Sequence, residues 1–391
     1  MQTFTAAVVG GGPAGLAAAC LLGQARINTV LVAGRAGPAD DPRTVALMMP
    51  SIRLLEHLGL WPGNLKAQTS PLRKLRMVDD TGAHFAAPPL TFSADEIGEE
   101  AFGWNIPLRL LLPALSSCAL AHGVTIMGDD ATGLSGNVIA LAKGAPVAAQ
   151  VYLAADGRDS ILRYAAGIRT LAWNYDQSAI ATSFAHSRGH HDISTEYHTP
   201  SGPFTTVPMP DGRSSLVWME RPARAAALLA LDDRAFAAEI QIRSHGDLGA
   251  ISAIGPRKIF PMRGLAAQSF AEKRVLLLGE AAHVAPPIGA QGLNMSMRDA
   301  SHAAQLIIDA VADGEDPGGK PVLAAYGAAR RTDVAPRLAI IDLMNRSLLA
   351  GYMSGDGARA LGLSLLESFG PLRSFAMKRG LAPTSLPLAM R

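Results

Sequence analysis

The chain has 391 residues, of which 49% are hydrophobic and 17% charged, and its formal net charge is +2. This balance predicts a folded protein with a large core and excludes a disordered chain. No dense Lys/Arg stripe is present, which argues against nucleic acid as a partner. The two cysteines, Cys20 and Cys118, are too few for a disulfide framework, so a reducing cytoplasm is the expected compartment.

The N-terminal segment is typical of a strand, a tight turn and a helix. Apolar residues 6–9 lead into glycines with G-x-G-x-x-G spacing, and helix-forming residues continue to position 22. The turn contains Gly10, Gly12, Pro13, Ala14 and Gly15. Such glycines permit the turn, let a pyrophosphate approach the backbone and let helix and strand pack closely. The helix N-terminus offers N–H groups to phosphate, so the segment predicts dinucleotide binding rather than a membrane anchor or signal peptide.

The second strand, residues 29–32, ends without the acid that usually binds the ribose of the nucleotide. Ala33 stands where a Glu is expected. Either Arg35 or a backbone group then holds the adenosine end, or that end is held less tightly.

The middle of the chain contains further elements in order. Asp41-Pro42-Arg43-Thr44 precedes an amphipathic helix at 51–58, and residues 74–78 and 83–86 are typical of a hairpin. The segment 152–160 is a strand that runs into a D-G turn at Asp156-Gly157 and then a helix. Residues 179–184, 204–208 and 214–220 have strand character.

Four histidines, His186, His190, His191 and His198, surround a polar Arg-Gly pair at 188–189. They lack cysteines and a fixed ligand spacing on one helix face. We therefore expect a solvated loop and no metal site.

Near the C-terminal third, an apolar strand at 275–278 runs into Gly279-Glu280, a Pro-Pro pair and a glycine-rich segment before a helix. Together with the first glycine turn and Asp156-Gly157, this segment resembles the single-component, FAD-dependent aromatic monooxygenases with the para-hydroxybenzoate hydroxylase fold. The three motifs occur in the family's order and span essentially the whole chain. Within that family, the amino-acid sequence is most similar to the ubiquinone-biosynthesis hydroxylases. The similarity is in segments 41–44, 102–107, 286–294 and 326–331.

The resemblance implies a set of residues that bind FAD. Arg43 and Arg109 would lie along its ribityl and pyrophosphate, and Asp156 with Gly157 behind the pyrophosphate. Glu280 replaces the family's Asp as acceptor from the ribityl hydroxyls, with a side chain one methylene longer. The residues expected around the flavin ring are Pro287, Gly289, Gly292, Leu293 and Asn294. No catalytic residue can be assigned, and His283 is expected to make a structural hydrogen bond.

The fold implied is α/β, with a Rossmann-like FAD-binding domain assembled from discontinuous segments, 1–70, 99–170 and 265–330. An antiparallel β-sheet substrate domain, 71–98 and 171–264, roofs the flavin, and a helical region covers 331–391. Phe204 and Trp218 are candidate roof residues, although a core position suits each equally well.

The implied reaction is hydroxylation of an electron-rich phenolic ring with O2 and NAD(P)H through a flavin C4a-hydroperoxide, most naturally on a polyprenylated phenol of ubiquinone biosynthesis. A hydroxylase of a small soluble phenol and a non-catalytic flavoprotein accessory of a biosynthetic complex are the alternatives. A flavin-dependent halogenase fits less well, because only half of the W-x-W-x-I-P signature is present at 102–107. The segment 338–366 could touch a membrane from the cytoplasmic side, pack on the FAD domain or form a homodimer contact.

Overall fold

The structure, a computed structural model, describes residues 2–34, 41–82, 88–350, 377 and 386–391. The strands are β1 (Gln2–Val9), β2 (Thr29–Val32), β3 (Thr44–Met48), β4 (Ser70–Pro71), β5 (Lys74–Asp79), β6 (Leu90–Ser93), β7 (Gly103–Pro107), β8 (Thr125–Met127), β9 (Ala131–Ser135), β10 (Val138–Leu141), β11 (Val147–Ala154), β12 (Thr170–His186), β13 (Ile193–Thr199), β14 (Gly202–Met209), β15 (Arg213–Glu220), β16 (Ile251–Ser252), β17 (Lys258–Ala267), β18 (Ala271–Glu272), β19 (Val275–Leu277) and β20 (His283–Val284). The helices are α1 (Pro13–Gln24), α2 (Met49–His57), α3 (Gly63–Ala67), α4 (Leu108–Ala121), α5 (Ile161–Ala166), α6 (Pro222–Leu229), α7 (Asp233–Arg243), α8 (Gln291–Ala312) and α9 (Lys320–Ala350).

The first sheet has the strand order β18-β19-β11-β1-β2-β8, and β9 and β10 form a hairpin on β11. Its centre is parallel, since β1 pairs in parallel with both β2 and β11. Helix α1 packs against α4 and α8. Its residues are buried on almost every side, which explains why the sequence from Pro13 onward is apolar all round rather than striped. The carboxyl ends of β1, β11 and β19 therefore meet at one edge of this sheet.

The second sheet has the order β20-β17-β12-β15-β14-β13-β5-β6. Its two faces differ because successive side chains of a strand point in opposite directions. The outer face carries Tyr197, Phe204 and Trp218, which pack with Phe236 and Ile240 of α7. The inner face carries the alternate residues of the same strands.

The third sheet, β3-β7-β4, joins the other two. From it, Thr44 Oγ1 donates to Ser215 Oγ of β15 at 2.8 Å. Asn105 Nδ2 of β7 donates to the same Ser215 oxygen at 3.1 Å and to the Pro208 carbonyl at 2.9 Å. Ser215, Val217 and Phe260 define the inner face of the second sheet. This face is thus turned toward β3 and β7.

The predicted α/β fold class is confirmed, with an N-terminal strand, turn and helix at β1 and α1. Two details differ from the expectation, and a third lies outside the described residues. Phe204 and Trp218 are core residues of the outer face rather than roof residues, because the strand period places their neighbours Thr205 and Val217 inward. The expected hairpin strand at 83–86 lies outside the described residues, and the strand that pairs with β5 is β6. Strand β13 was missed because most of its residues are polar.

Candidate active site

The glycine turn after β1 has the backbone that its sequence requires. Gly10 has φ 116°, a conformation that side chains rarely adopt. A Cβ at Gly10 would lie 2.9 Å from the Asp156 amide nitrogen and even closer to the Ala155 carbonyl. A Cβ at Gly15 would collide with the Gly10 carbonyl, so Gly15 permits the close packing of α1 on the turn. These two glycines are needed by the fold itself.

At two other positions the packing of the fold does not require a glycine. Gly12, the N-cap of α1, has φ −76° and ψ 174°, and a Cβ there would meet nothing within 4 Å. Gly292, in the first turn of α8, would likewise meet nothing within 4 Å. Space left open in front of a helix N-terminus suits an anionic or electron-rich ligand. The residues present therefore fit a bound dinucleotide, with Pro13 and Ala14 completing the first turn of α1.

The two helix N-termini converge on Gly279, which has φ 59°. A Cβ there would lie 3.1 Å from Ser296 Oγ of α8 and 3.7 Å from Ala14 Cβ of α1. The segment from Gly279 to the start of α8 therefore lines one site together with the glycine turn. Pro287 and Gly289 are exposed in this segment, while Leu293 packs against the core.

Asp156 acts mainly on its own loop. Its Oδ2 accepts hydrogen bonds from the Ile161 and Leu162 amides at 2.8 and 3.3 Å, so it caps α5. Its Oδ1 is buried without a hydrogen-bond partner among the described residues. Burial raises the pKa of Asp156, and hydrogen bonds from Ser160 and the α5 amides act in the opposite direction. Gly157, with φ 83°, turns the chain behind Gly10.

A charged cluster lies beside this loop. Arg43 Nη2 is 2.6 Å from Asp41 Oδ2, and its guanidinium carbon is 5.3 Å from the centre of the Phe260 ring. Hydrogen bonding to Asp41 raises the pKa of Arg43, and the charge of Glu280 adds to that effect. Glu280 is 54% exposed and lies 3.7 Å from Arg158. The structure thus brings Arg43 and Glu280 into one electrostatic environment.

One predicted residue stands apart from that cluster. Arg109 is exposed on the first turn of α4. Arg35 lies outside the described residues, so the replacement for the missing ribose acid stays a prediction.

Asn294 has a structural role that the sequence did not indicate. Its Oδ1 accepts from the Met48 amide at 2.9 Å and from Ser51 Oγ at 2.7 Å. Its Nδ2 donates to the carbonyls of Ala46 and Ala290 at 2.8 and 2.7 Å. The side chain is fully hydrogen-bonded, and it fixes β3 against the start of α8. Its backbone N–H remains at the helix N-terminus, as expected.

Sequence reasoning also missed a buried ionic network behind Gly279. Asp299 Oδ2 accepts from the Gly279 amide at 2.8 Å and from His283 Nε2 at 2.7 Å, and its Oδ1 accepts from Arg330 Nε at 2.6 Å. Arg330 also contacts Asp333, which pairs with Arg298 at 2.7 Å. Burial alone would raise the pKa of Asp299, but the charges of His283 and Arg330 lower it to about 2. The expected structural hydrogen bond of His283 is present.

The four histidines do not form one loop. His186 ends β12, and His198 lies within β13 at 4% exposure. His186 Nδ1 contacts the Arg188 carbonyl, and His190 Nε2 contacts the Met209 carbonyl. In the described part of the chain, no three His, Cys, Asp or Glu side chains are placed to hold a metal ion.

The inner face of the second sheet forms an apolar wall beside β3 and β7. Its side chains Leu75, Phe92, Val207, Val217 and Phe260 are only partly buried. Leu75, Phe92 and Ala290, the residue before α8, all pack against one apolar cluster that contains Met48 and Phe102. An apolar wall with a few polar groups is typical of a cofactor and substrate cleft.

Residues 3–339 match the profile of a family described as "FAD binding domain". The chain is 33% identical over 394 residues to a protein named ubiquinone hydroxylase UbiL of Rhodospirillum rubrum, covering 97% of this chain and 90% of that protein. It is 29% identical over 398 residues to the 3-demethoxyubiquinol 3-hydroxylase of Escherichia coli, covering 97% and 99% of the two chains. Its fold is similar to the crystal structure of p-nitrophenol 4-monooxygenase PnpA from Pseudomonas putida, with a TM-score of 0.79 and 19% identity over 99% of this chain and 100% of that one.

Proposed function

Since the chain belongs to the FAD-binding domain family of flavin-dependent monooxygenases, we propose that it hydroxylates a prenylated phenol in ubiquinone biosynthesis. Its cofactor is FAD, and it is an FAD-dependent aromatic-ring hydroxylase. The names of two relatives, a ubiquinone hydroxylase and a 3-demethoxyubiquinol 3-hydroxylase, support a phenolic substrate of that pathway. The structural observation that carries the proposal is that two helices with open space at their N-termini, α1 and α8, meet beside Gly279.

The residues predicted from the sequence are proposed to hold FAD. The N–H groups at the start of α1 bind the pyrophosphate, where Gly12 leaves space for it. Glu280 accepts hydrogen bonds from the ribityl hydroxyls, and Arg43 neutralises its charge together with Arg158. The N–H groups of the first turn of α8 stabilise negative charge that develops on the ring near N1.

When bound, FAD supplies electron transfer from NAD(P)H and the activation of O2. The chain's own contribution is to orient the substrate ring and to exclude water. The inner face of the second sheet provides the apolar surface for both tasks, through Val207, Val217 and Phe92. We propose the same division as from the sequence, with a cofactor domain (1–70, 99–170, 265–330), a substrate domain (71–98, 171–264) and a C-terminal helical region (331–391).

A prenyl chain would give the substrate a membrane location, so peripheral contact with a membrane is part of the proposal. No helix in the described ranges is both long enough and apolar enough to span a bilayer. The proposed contact is therefore at the surface of the membrane.

The test uses purified protein saturated with FAD. The flavin absorption spectrum is recorded first, and bleaching by NADH and by NADPH is then followed with and without phenols. We expect a prenylated phenol to accelerate bleaching and to give hydroxylated product in proportion to NAD(P)H consumed. Equal coupling with an unprenylated phenol would favour the small-phenol alternative, and a protein that stays colourless with FAD would favour the accessory role.

A further inference from the structure

An acid and an imidazole lie hydrogen-bonded on β13, outside the contacts described so far. His198 Nε2 is 2.8 Å from Glu196 Oε1, and the two side chains are 5% and 16% exposed. An ionised carboxylate only accepts hydrogen bonds, so His198 donates from Nε2. The second oxygen, Oε2, lies 3.5 Å from Thr205 Oγ1, which is long for an O–H···O bond. That oxygen therefore retains the capacity to accept another donor.

The pair faces the proposed substrate cleft. Tyr197, between the two residues, belongs to the outer face and donates to Asp247 Oδ2 at 3.0 Å. Because side chains alternate along a strand, Glu196 and His198 point the other way, onto the inner face. Glu196 is the register partner of Thr205, which in turn pairs with Val217.

The next row of the inner face and the residue before α8 pack against the same apolar cluster. Leu75 is the register partner of Ser194, one row from Glu196. Leu75 packs in the same cluster as Ala290, the residue before α8. The acid is thus one row of side chains away from Leu75, which shares an apolar cluster with the residue before the helix end where we place the flavin ring.

The surroundings leave Glu196 as the acid of this region. Across β13, β14 and β15, whose residues are all described, it is the one carboxylate on the inner face. On β5, Asp79 lies opposite His198, and its Oδ1 accepts from Thr81 Oγ1 at 2.7 Å. Lys258 stands at the far end of the row across the sheet, near Asp41.

Neutral polar side chains form contacts at two ends of the inner face. At one end, the Asn345 amide of α9 donates to the Gln177 amide at 2.8 Å. At the other end, Thr44 and Asn105 of the third sheet donate to Ser215 of β15. None of these carries a charge, so Glu196 is the carboxylate available as proton acceptor on the inner face of β13, β14 and β15.

We infer that Glu196, oriented by His198, accepts the proton of the substrate's ring hydroxyl during hydroxylation. This inference rests on the proposed function. As the ring carbon gains one oxygen atom of O2, the O–O bond breaks, and the other oxygen atom leaves as water with the electrons that NAD(P)H supplies through FAD. In the same step the O–H bond of the phenol breaks, its electron pair forms the ring C=O bond, and the proton moves to Glu196 Oε2. When the C–H bond at the hydroxylated carbon breaks, its electron pair restores the aromatic ring, its proton goes to water, and Glu196 returns its own proton to the phenolic oxygen. His198 keeps its Nε2–H throughout and holds Oε1.

The experiment compares the FAD-loaded wild type with Glu196→Gln, using 2-geranylphenol, NADH or NADPH, and O2. Hydroxylated product is measured in single turnovers across pH. General-base catalysis is worth about 10²–10⁴-fold, so we expect hydroxylation by the variant to fall by at least about 100-fold at neutral pH. The difference in hydroxylation rate between the variant and the wild type should become smaller as the pH approaches the pKa of the phenol. A phenolate has already lost its proton and needs no base. FAD content and 2-geranylphenol binding should stay within about threefold of the wild type.

Tyr197→Phe is the matched control, since it alters the adjacent residue on the opposite face and leaves the inner face intact. We expect its hydroxylation rate to remain within about threefold of the wild type at all pH values. A Glu196→Gln variant with the wild-type rate, or with a deficit that is equal at every pH, would overturn the inference and leave the proposed function standing. A wild type that forms no product from any phenol would overturn both.

Discussion

The imidazole of His283 lies 2.7 Å from the Asp299 carboxylate, with both side chains almost completely buried. His283 belongs to the segment that lines the proposed flavin site, and Asp299 to the middle of α8. Asp299 also accepts from the Gly279 amide. One carboxylate therefore fixes both the turn that carries Glu280 and the helix whose N-terminus faces the ring.

Asp299→Asn should destabilise the protein by about 3–5 kcal/mol, because it removes one carboxylate of a buried ionic network and leaves Arg330 with Asp333 as its charge partner. The free energy of unfolding in urea measures this effect. Asp176→Asn is the control, since Asp176 is 72% exposed beside Arg221 and should cost less than about 1 kcal/mol. Similar losses in the two variants would contradict a structural role for the buried network.

The pH dependence of stability should contain a contribution from His302. Burial lowers its pKa from 6.5 to about 4, Arg330 adds to this effect, and Asp299 opposes it. The folded value is depressed, so the stability is present above pH 6.5 and is lost as the pH falls toward 4, where the unfolded chain binds the proton more readily. The loss should amount to at most about 3 kcal/mol.

His302→Gln should remove that loss, so the unfolding free energies of wild type and variant should converge or cross as the pH falls through this window. His122→Gln, at an exposed position, is the matched control for the change in residue type. If the His302→Gln variant showed the same pH dependence of the unfolding free energy as the wild type, His302 would be excluded as its source.

Gly12→Ala should separate folding from cofactor binding. The backbone at Gly12 is ordinary and a Cβ there meets nothing, so the unfolding free energy should change by less than about 1 kcal/mol. FAD affinity, measured by fluorescence titration, should fall by at least about tenfold, because the methyl group occupies the space of a phosphate. Gly10→Ala should instead destabilise the fold itself, since its Cβ would meet the Ala155 carbonyl. Unchanged FAD affinity in the Gly12 variant would move the pyrophosphate away from α1.

Glu280→Ala should weaken FAD retention more than it slows the reaction. A hydrogen bond to a charged group is worth about 1.5–3 kcal/mol, which corresponds to roughly a 10- to 100-fold loss of FAD affinity. With saturating FAD, kcat should stay within about threefold of the wild type. Glu315→Ala removes an exposed carboxylate at a loop position and serves as control. If kcat fell while FAD affinity held, Glu280 would act in the chemistry instead of in cofactor binding.

The sequence by itself determined the features that depend on local spacing. Local motifs predicted the α/β fold and the position of the cofactor site. These motifs are the glycines at 10, 12 and 15, the D-G turn at 156–157 and the segment after residue 279. They could be recognised because the backbone conformation of each turn depends on residues that are close together in the sequence. The spacing did not show which residues of β14 and β15 point into the core and which point into the cleft. Phe204 and Thr205, for example, are neighbours on β14 that point to opposite faces of the sheet.

The tertiary structure alone decided which distant residues meet. Asn294 meets Ser51, Asp299 meets Arg330, and Glu196 takes its place opposite Thr205 through strand register, and none of these pairings leaves a periodic signal in the chain. A hydrogen bond between residues far apart in sequence is set by how sheets and helices pack, and a one-residue shift of register would turn Glu196 from the cleft into the core. The fold class and the use of FAD could therefore be predicted from sequence, whereas the buried network behind Gly279 and the acid proposed to serve the substrate could not.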